Sequence, residues 1–200
     1  MQQQIKWPFE DFEFYTITHF TNLPNQKGMI WMNPYYHPLF LQFIVYFNDN
    51  QDYFECHEVL EEYWKEQENF SKDHPLTGYI LMATGLYHWR RGNTAGASRT
   101  LTKAITRFRE MPVQFGDYLE DVAIDEIIMQ LEHCLTRIES DEDFYSFQLP
   151  ISPELRVKAE KSKPLIALLP KDSASVIHKH MQRDRSDILL QREEKKKGRG

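Results

Sequence analysis

Two hundred residues suffice for one domain with appendages, and a 41% hydrophobic share with 13 Phe, 10 Tyr and 4 Trp excludes a wholly disordered chain. A formal net charge of −6 gives no overall attraction to nucleic acid or to an anionic membrane. The charge is unevenly placed: residues 1–150 carry 11 Lys and Arg against 23 Asp and Glu, whereas residues 151–200 carry 13 against 7. An acidic folded body with a basic tail is the expected organisation.

Residues 1–36 are aromatic but aperiodic and read as an irregular extension, with Met32 a candidate start. Early acids (Glu10, Asp11, Glu13) argue against a secretory leader. The stretch free of acids and bases, Gly28 to Asn48, has a truly apolar part only from Leu39 to Phe47, short of the ~20 residues of a membrane span. A cytoplasmic protein is therefore expected. Residues 37–149 form the predicted bundle. Its first helix opens at Pro38 and presents Leu39, Phe40, Phe43, Ile44 and Phe47 at helical spacing. Asn48-Asp49-Asn50 interrupts it, and a second helix runs from Asp52 to Gln67. A third runs from Pro75 to Gly92-Asn93, a fourth from Thr94 to Met111, and a fifth from Tyr118 to Glu139. No stretch alternates as a strand does, so the fold class is all-α, a compact antiparallel bundle of about five helices. Pro150, Pro153, Pro164 and Pro170 mark residues 150–170 as a linker with at most one short helix; residues 171–200 are a basic tail, disordered or loosely helical.

The second helix holds the polar residues that could carry chemistry. At about 100° per residue, Cys56, Leu60, Tyr63 and Trp64 make the core stripe with Tyr53. His57 falls about 40° round from Tyr53, Glu61 about 80° and Glu58 about 140°, while Glu55 and Glu62 face water. His57 and Glu61 are thus neighbours among apolar side chains, where a carboxylate needs a partner. Thr84, His88 and Arg91 line one flank of the third helix; if the two helices are antiparallel neighbours, His88 faces His57 and Glu61. Two imidazoles with one or two carboxylates suit a divalent ion (His57, Glu61, His88) or proton transfer, for which His57, Glu58, Glu61, His88 and Arg91 are the catalytic candidates. The bland alternative is a self-satisfied structural network. His57-Glu58-Val59-Leu60-Glu61 is similar to the zinc-protease helix, but Glu stands where that motif has its second His. Cys56, on the apolar stripe, should be inert, and Cys56 and Cys134 read as buried thiols of a reducing compartment.

Gly85, Gly92, Ala97, Leu101 and Ala104 fall at the small and apolar positions of a tetratricopeptide repeat, so the third and fourth helices resemble one such hairpin. No second copy follows, which excludes a solenoid. The run from Tyr53 to Trp64, then Gly78, Ala83, His88, Arg91-Gly92-Asn93 and Gly96-Ala97, resembles the small bacterial and archaeal proteins of domain of unknown function family 309. The resemblance covers about Pro38 to Ile138. It implies a compact all-α bundle and no established activity. One departure is Leu81, where the resemblance implies Gln; its absence removes a polar group from the cluster. Two functions follow as expectations: a helical bundle with a His/Glu polar or metal site, or an interaction module with a structural His/Glu network whose basic tail docks a partner. A protein partner or a second copy is compatible with the acidic body, and nucleic acid is not expected for it.

Overall fold

A computed structural model describes residues 33–67, 71–171 and 173–179, without the side chains of 117–119. The chain divides into Met1–Trp31 and Met32–Gly200, and the first unit lies outside the described residues. So does the reading of Met32 as a start. Of the basic tail expected over residues 171–200, residues 172 and 180–200 lie outside the described residues, whereas Ala174–Ile177 form a short helix with Val176 buried, so the expected tail is folded where it begins. Among the described residues the architecture is all-α, with no strand; Val122 and Ile151 form an isolated antiparallel bridge.

Helix α1 spans Pro38–Val45, α2 Tyr53–Lys65, α3 Pro75–Arg90, α4 Thr94–Arg109 and α5 Ile124–Glu139. Two of the starts share a device that periodicity does not reveal. His37 and His74 each precede a proline at the first helical position, and each imidazole Nδ1 accepts the backbone N–H two residues on, at Leu39 (3.3 Å) and Leu76 (3.2 Å). Asp52 caps α2 by accepting from Glu55 N, and Asn93 caps α4 by accepting from Gly96 N. The expected first helix stops being α-helical at Val45; Tyr46–Asn50 winds on as a π turn and Gln51 closes it at φ 54°.

Helix α3 is the centre. Fourteen of its sixteen residues are buried, Thr77, Thr84 and His88 among them, and both α2 and α4 pack against it. The α3–α4 hairpin packs closely because α3 offers glycines. A Cβ at Gly85 would meet Leu101 Cγ at 2.7 Å, and one at Gly78 would meet Phe108 Cε1 at 2.8 Å. An aromatic cluster joins α3 to α1 and α4: the Tyr79 ring lies 5.3 Å from Phe40, 5.7 Å from Phe43 and 5.0 Å from Phe108. Each such pair adds about 0.5–1.5 kcal/mol beyond its buried area. Tyr35, within the segment read as an irregular extension, belongs to this core: Pro34–Tyr36 form a 3₁₀ turn and the Tyr35 hydroxyl lies 2.8 Å from that of Tyr79.

Two further expectations need correcting. The fifth helix starts at Ile124 rather than Tyr118, because Val113–Leu119 forms 3₁₀ turns after Pro112 and the next residues pair with 150–152. Ala123 N donates to Pro150 O (2.9 Å) and Ser152 N to Asp121 O (2.8 Å). The short helix allowed within 150–170 is α6, Pro153–Ser162, capped by Ser152. It packs on α1 through buried Leu155 and Ala159, so this stretch is part of the fold and not a spacer. Beyond a 3₁₀ turn at Lys163–Leu165 the chain reaches α7, Ala174–Ile177, held by buried Val176.

Candidate functional site

Helix α2 buries its apolar stripe against α1 and α3, and the edge of that stripe carries the polar residues. His57 is buried, its side chain 6% exposed; Glu58 and Glu61 retain 31% and 19%. One donor atom from each of His57, Glu58 and Glu61 can be chosen so that all three lie within 4.8 Å of one another. His57 Nδ1 is 3.2 Å from Glu58 Oε1 and 3.8 Å from Glu61 Oε2, and Lys65 Nζ is 2.8 Å from Glu61 Oε1. The helix supplies this geometry locally: positions 57 and 61 are one turn apart, and position 58 lies beside them.

A cation with bonds of about 2.1 Å needs neighbouring ligand atoms roughly 3.0–3.4 Å apart. The His57–Glu58 separation falls in that range and the His57–Glu61 separation is close to it. Lys65 occupies the other oxygen of Glu61, but its side chain is 55% exposed and can swing into water. The cluster is therefore chemically able to offer one imidazole nitrogen and two carboxylate oxygens, and it is equally able to satisfy itself with a proton on Nδ1 and the Lys65 ammonium.

His88 and Arg91 do other things. Asn93 uses Oδ1 to cap α4, which leaves its amide nitrogen to donate to His88 Nδ1 at 3.1 Å. His88 therefore presents an unprotonated Nδ1 and braces the α3–α4 turn. That turn closes through Gly92 at φ 75°, a left-handed position that suits glycine, and Asn93 N donates to His88 O. The Arg91 guanidinium lies over the Tyr87 ring, 5.2 Å from its centroid. Among the described residues, the group able to hold a metal comprises His57, Glu58 and Glu61, without His88. Leu81 is half-buried on α3. Both cysteines are buried free thiols; burial pushes the Cys56 thiol well up and that of Cys134 up to about 12, so neither is a nucleophile.

Sequence reasoning missed how the start of α2 is held. Lys179 Nζ lies 2.9 Å from Asp52 Oδ2 and 2.7 Å from Glu55 Oε1, so Glu55 is half-buried and not simply turned to water. Burial works against the Lys179 ammonium, but its bonds to Glu55 and Asp52 outweigh it and its pKa is raised. Arg90 supports the same corner, donating to Gln51 O (3.0 Å) and Lys171 O (2.9 Å). The only local signal was a lysine more than a hundred residues from its partners.

A family model described as a domain of unknown function, DUF309, matches residues 40–100. The uncharacterised protein YpuF of Bacillus subtilis (strain 168) is 34% identical over 167 residues, covering 79% of this chain and 93% of its own length. No solved structure matches. No described helix is long and apolar enough to cross a membrane.

Proposed function

The chain belongs to the DUF309 family, and from that premise we propose that it is a helical-bundle protein that binds one first-row divalent cation through His57, Glu58 and Glu61. The observation that carries the reading is the clustering of three donor atoms of mixed nitrogen and oxygen type within 4.8 Å on one buried-edge face of α2. Imidazole with carboxylates suits zinc or manganese. Three protein ligands leave coordination positions open, as catalytic and not structural zinc sites do, so that such an ion could polarise a carbonyl or phosphoryl oxygen or acidify a bound water. Ion binding at Glu61 would displace the Lys65 ammonium. His88 and Arg91 act in this reading at the far end of α3 as turn-bracing residues. The compartment proposed is the cytoplasm, where free thiols such as Cys56 and Cys134 persist.

A second reading, an interaction module with a structural His/Glu network, is favoured by the His57–Glu58 contact and the Lys65–Glu61 ion pair, which hold the cluster together without a cation. Calorimetric titration of metal-free protein with Zn²⁺ and Mn²⁺ separates the two. The metal reading expects one ion per chain, with affinity lowered by about 100-fold or more in His57→Ala. Saturating ion at 100 times Kd should add about 2.7 kcal/mol to the unfolding free energy. Equal binding by wild type and His57→Ala, or no binding and no stabilisation, refutes the site and leaves the second reading.

A further inference from the structure

Between α6 and α7 the chain runs from Pro164 to Pro170 with no charged or polar side chain. Past the 3₁₀ turn that ends at Leu165, Ile166 is extended (φ −113°, ψ 123°). Exposure alternates along the run: Leu165, Ala167 and Leu169 are exposed, whereas Ile166 and Leu168 are half-buried. An extended segment with one side on the protein ordinarily turns polar side chains outward. Here the outward side is apolar as well, with Leu165 88% and Leu169 40% exposed. Both ends are held in place: Ile166 N donates to Lys163 O (3.0 Å), Asn50 Nδ2 to Leu169 O (3.4 Å) and Arg90 to Lys171 O. The flanks are basic. From Arg156 to Lys171 the chain carries Arg156, Lys158, Lys161, Lys163 and Lys171 against one acid, Glu160. Lys163 pairs with Asp49 and Glu160, and Lys158 lies over the Tyr36 ring. Arg156, Lys161 and Lys171 are exposed and pair with no carboxylate among the described residues.

We propose that this run docks the protein on the surface of an anionic bilayer, with Leu165, Ala167 and Leu169 entering the headgroup boundary and Arg156, Lys161 and Lys171 meeting lipid phosphates. Peripheral binding needs two signals, and an apolar run between cations supplies both. A leucine 88% exposed stands clear of its own protein, and a bilayer receives it without a matching groove. A second copy fits less well, because a stable interface takes about 20–30 residues a side and this run has seven. The whole-chain charge of −6 gives no such attraction, but at contact only charges within about 8–10 Å of the surface act unscreened. The inference does not depend on the cation reading, and its test uses metal-free buffer.

The full chain is floated with vesicles of phosphatidylcholine alone, and with vesicles in which about one third of the lipid is phosphatidylserine. It should rise with the second and stay behind with the first. Replacing Arg156, Lys161 and Lys171 by Gln should weaken binding by about five-fold per charge. Leu165→Asp with Leu169→Asp, both at exposed positions, should abolish it and leave the helical circular-dichroism signal unchanged. Leu165→Cys can be labelled alone with a polarity-sensitive fluorophore, since Cys56 and Cys134 are buried, and its emission should shift to the blue on the anionic vesicles. No flotation, flotation that survives either set of substitutions, or a label that does not shift would each overturn the proposal. So would a lipid-free dimer in sedimentation that Leu165→Asp and Leu169→Asp dissociate, because the run would then be an interface between copies.

Discussion

Replacing His74 with asparagine should reverse the order of stability of mutant and wild type as the solution is acidified. The His74 imidazole is buried, caps α3 with an unprotonated Nδ1, and rests against the Phe115 ring at 4.9 Å. Burial holds its pKa down from 6.5 to about 4. The unfolded chain therefore takes up a proton below pH 6.5 that the folded chain refuses until about pH 4. Stability present above pH 6.5 is lost at about 1.4 kcal/mol per pH unit through that window, roughly 3 kcal/mol in all. Asparagine caps as well as histidine can but does not titrate, and it leaves the ring contact unfilled, for a cost of about 1 kcal/mol at pH 7.5. Urea unfolding at pH 7.5, 6, 5 and 4 should show the variant about 1 kcal/mol weaker at the start and about 2 kcal/mol stronger at the end. Parallel profiles would refute the argument and move the acid sensitivity elsewhere. His37, whose pKa burial also lowers, should contribute in the same direction.

Gly85→Ala should cost about 1–3 kcal/mol in urea or thermal unfolding, because its Cβ meets the Leu101 side chain and, at 3.2 Å, the Leu101 backbone nitrogen. Gly78→Ala faces only the Phe108 ring and should cost less than Gly85→Ala in the same assay. Native protein should show no fast reaction of Cys56 or Cys134 with a disulfide reagent at pH 8, and two thiols should react once it is unfolded in urea.

Local features of the sequence are enough to locate much of this fold. Pro38, Pro75 and Thr94 open the helices they were expected to open, and the wheel of α2 correctly sets His57 beside Glu61 at the edge of the apolar stripe. What escaped involves distant partners. The proline-rich stretch 150–170 gives the same local signal whether it spaces or packs, although Ser152-Pro153 is a cap followed by a first-turn proline. The bonds that decide the matter, Ser152 to Asp121 and Leu155 burial on α1, are long-range. His88 shows the same limit: its place on the third-helix flank is legible, but its partner is fixed by which oxygen Asn93 spends on the α4 cap. Lys179 could not be assigned to Asp52 from either residue alone.

The near-complete sheathing of α3 gives the molecule an internal clock. A backbone amide in this helix meets solvent only when α2 or α4 comes away, and both lean on α3 for their own apolar faces. Its amides should then exchange their protons at the rate of whole-molecule opening, while those of α7, held by one buried valine, exchange by local opening. The slowest amides in α3 thus report the stability of the entire fold, and any ligand gripping α2 should slow them even though it touches none of them.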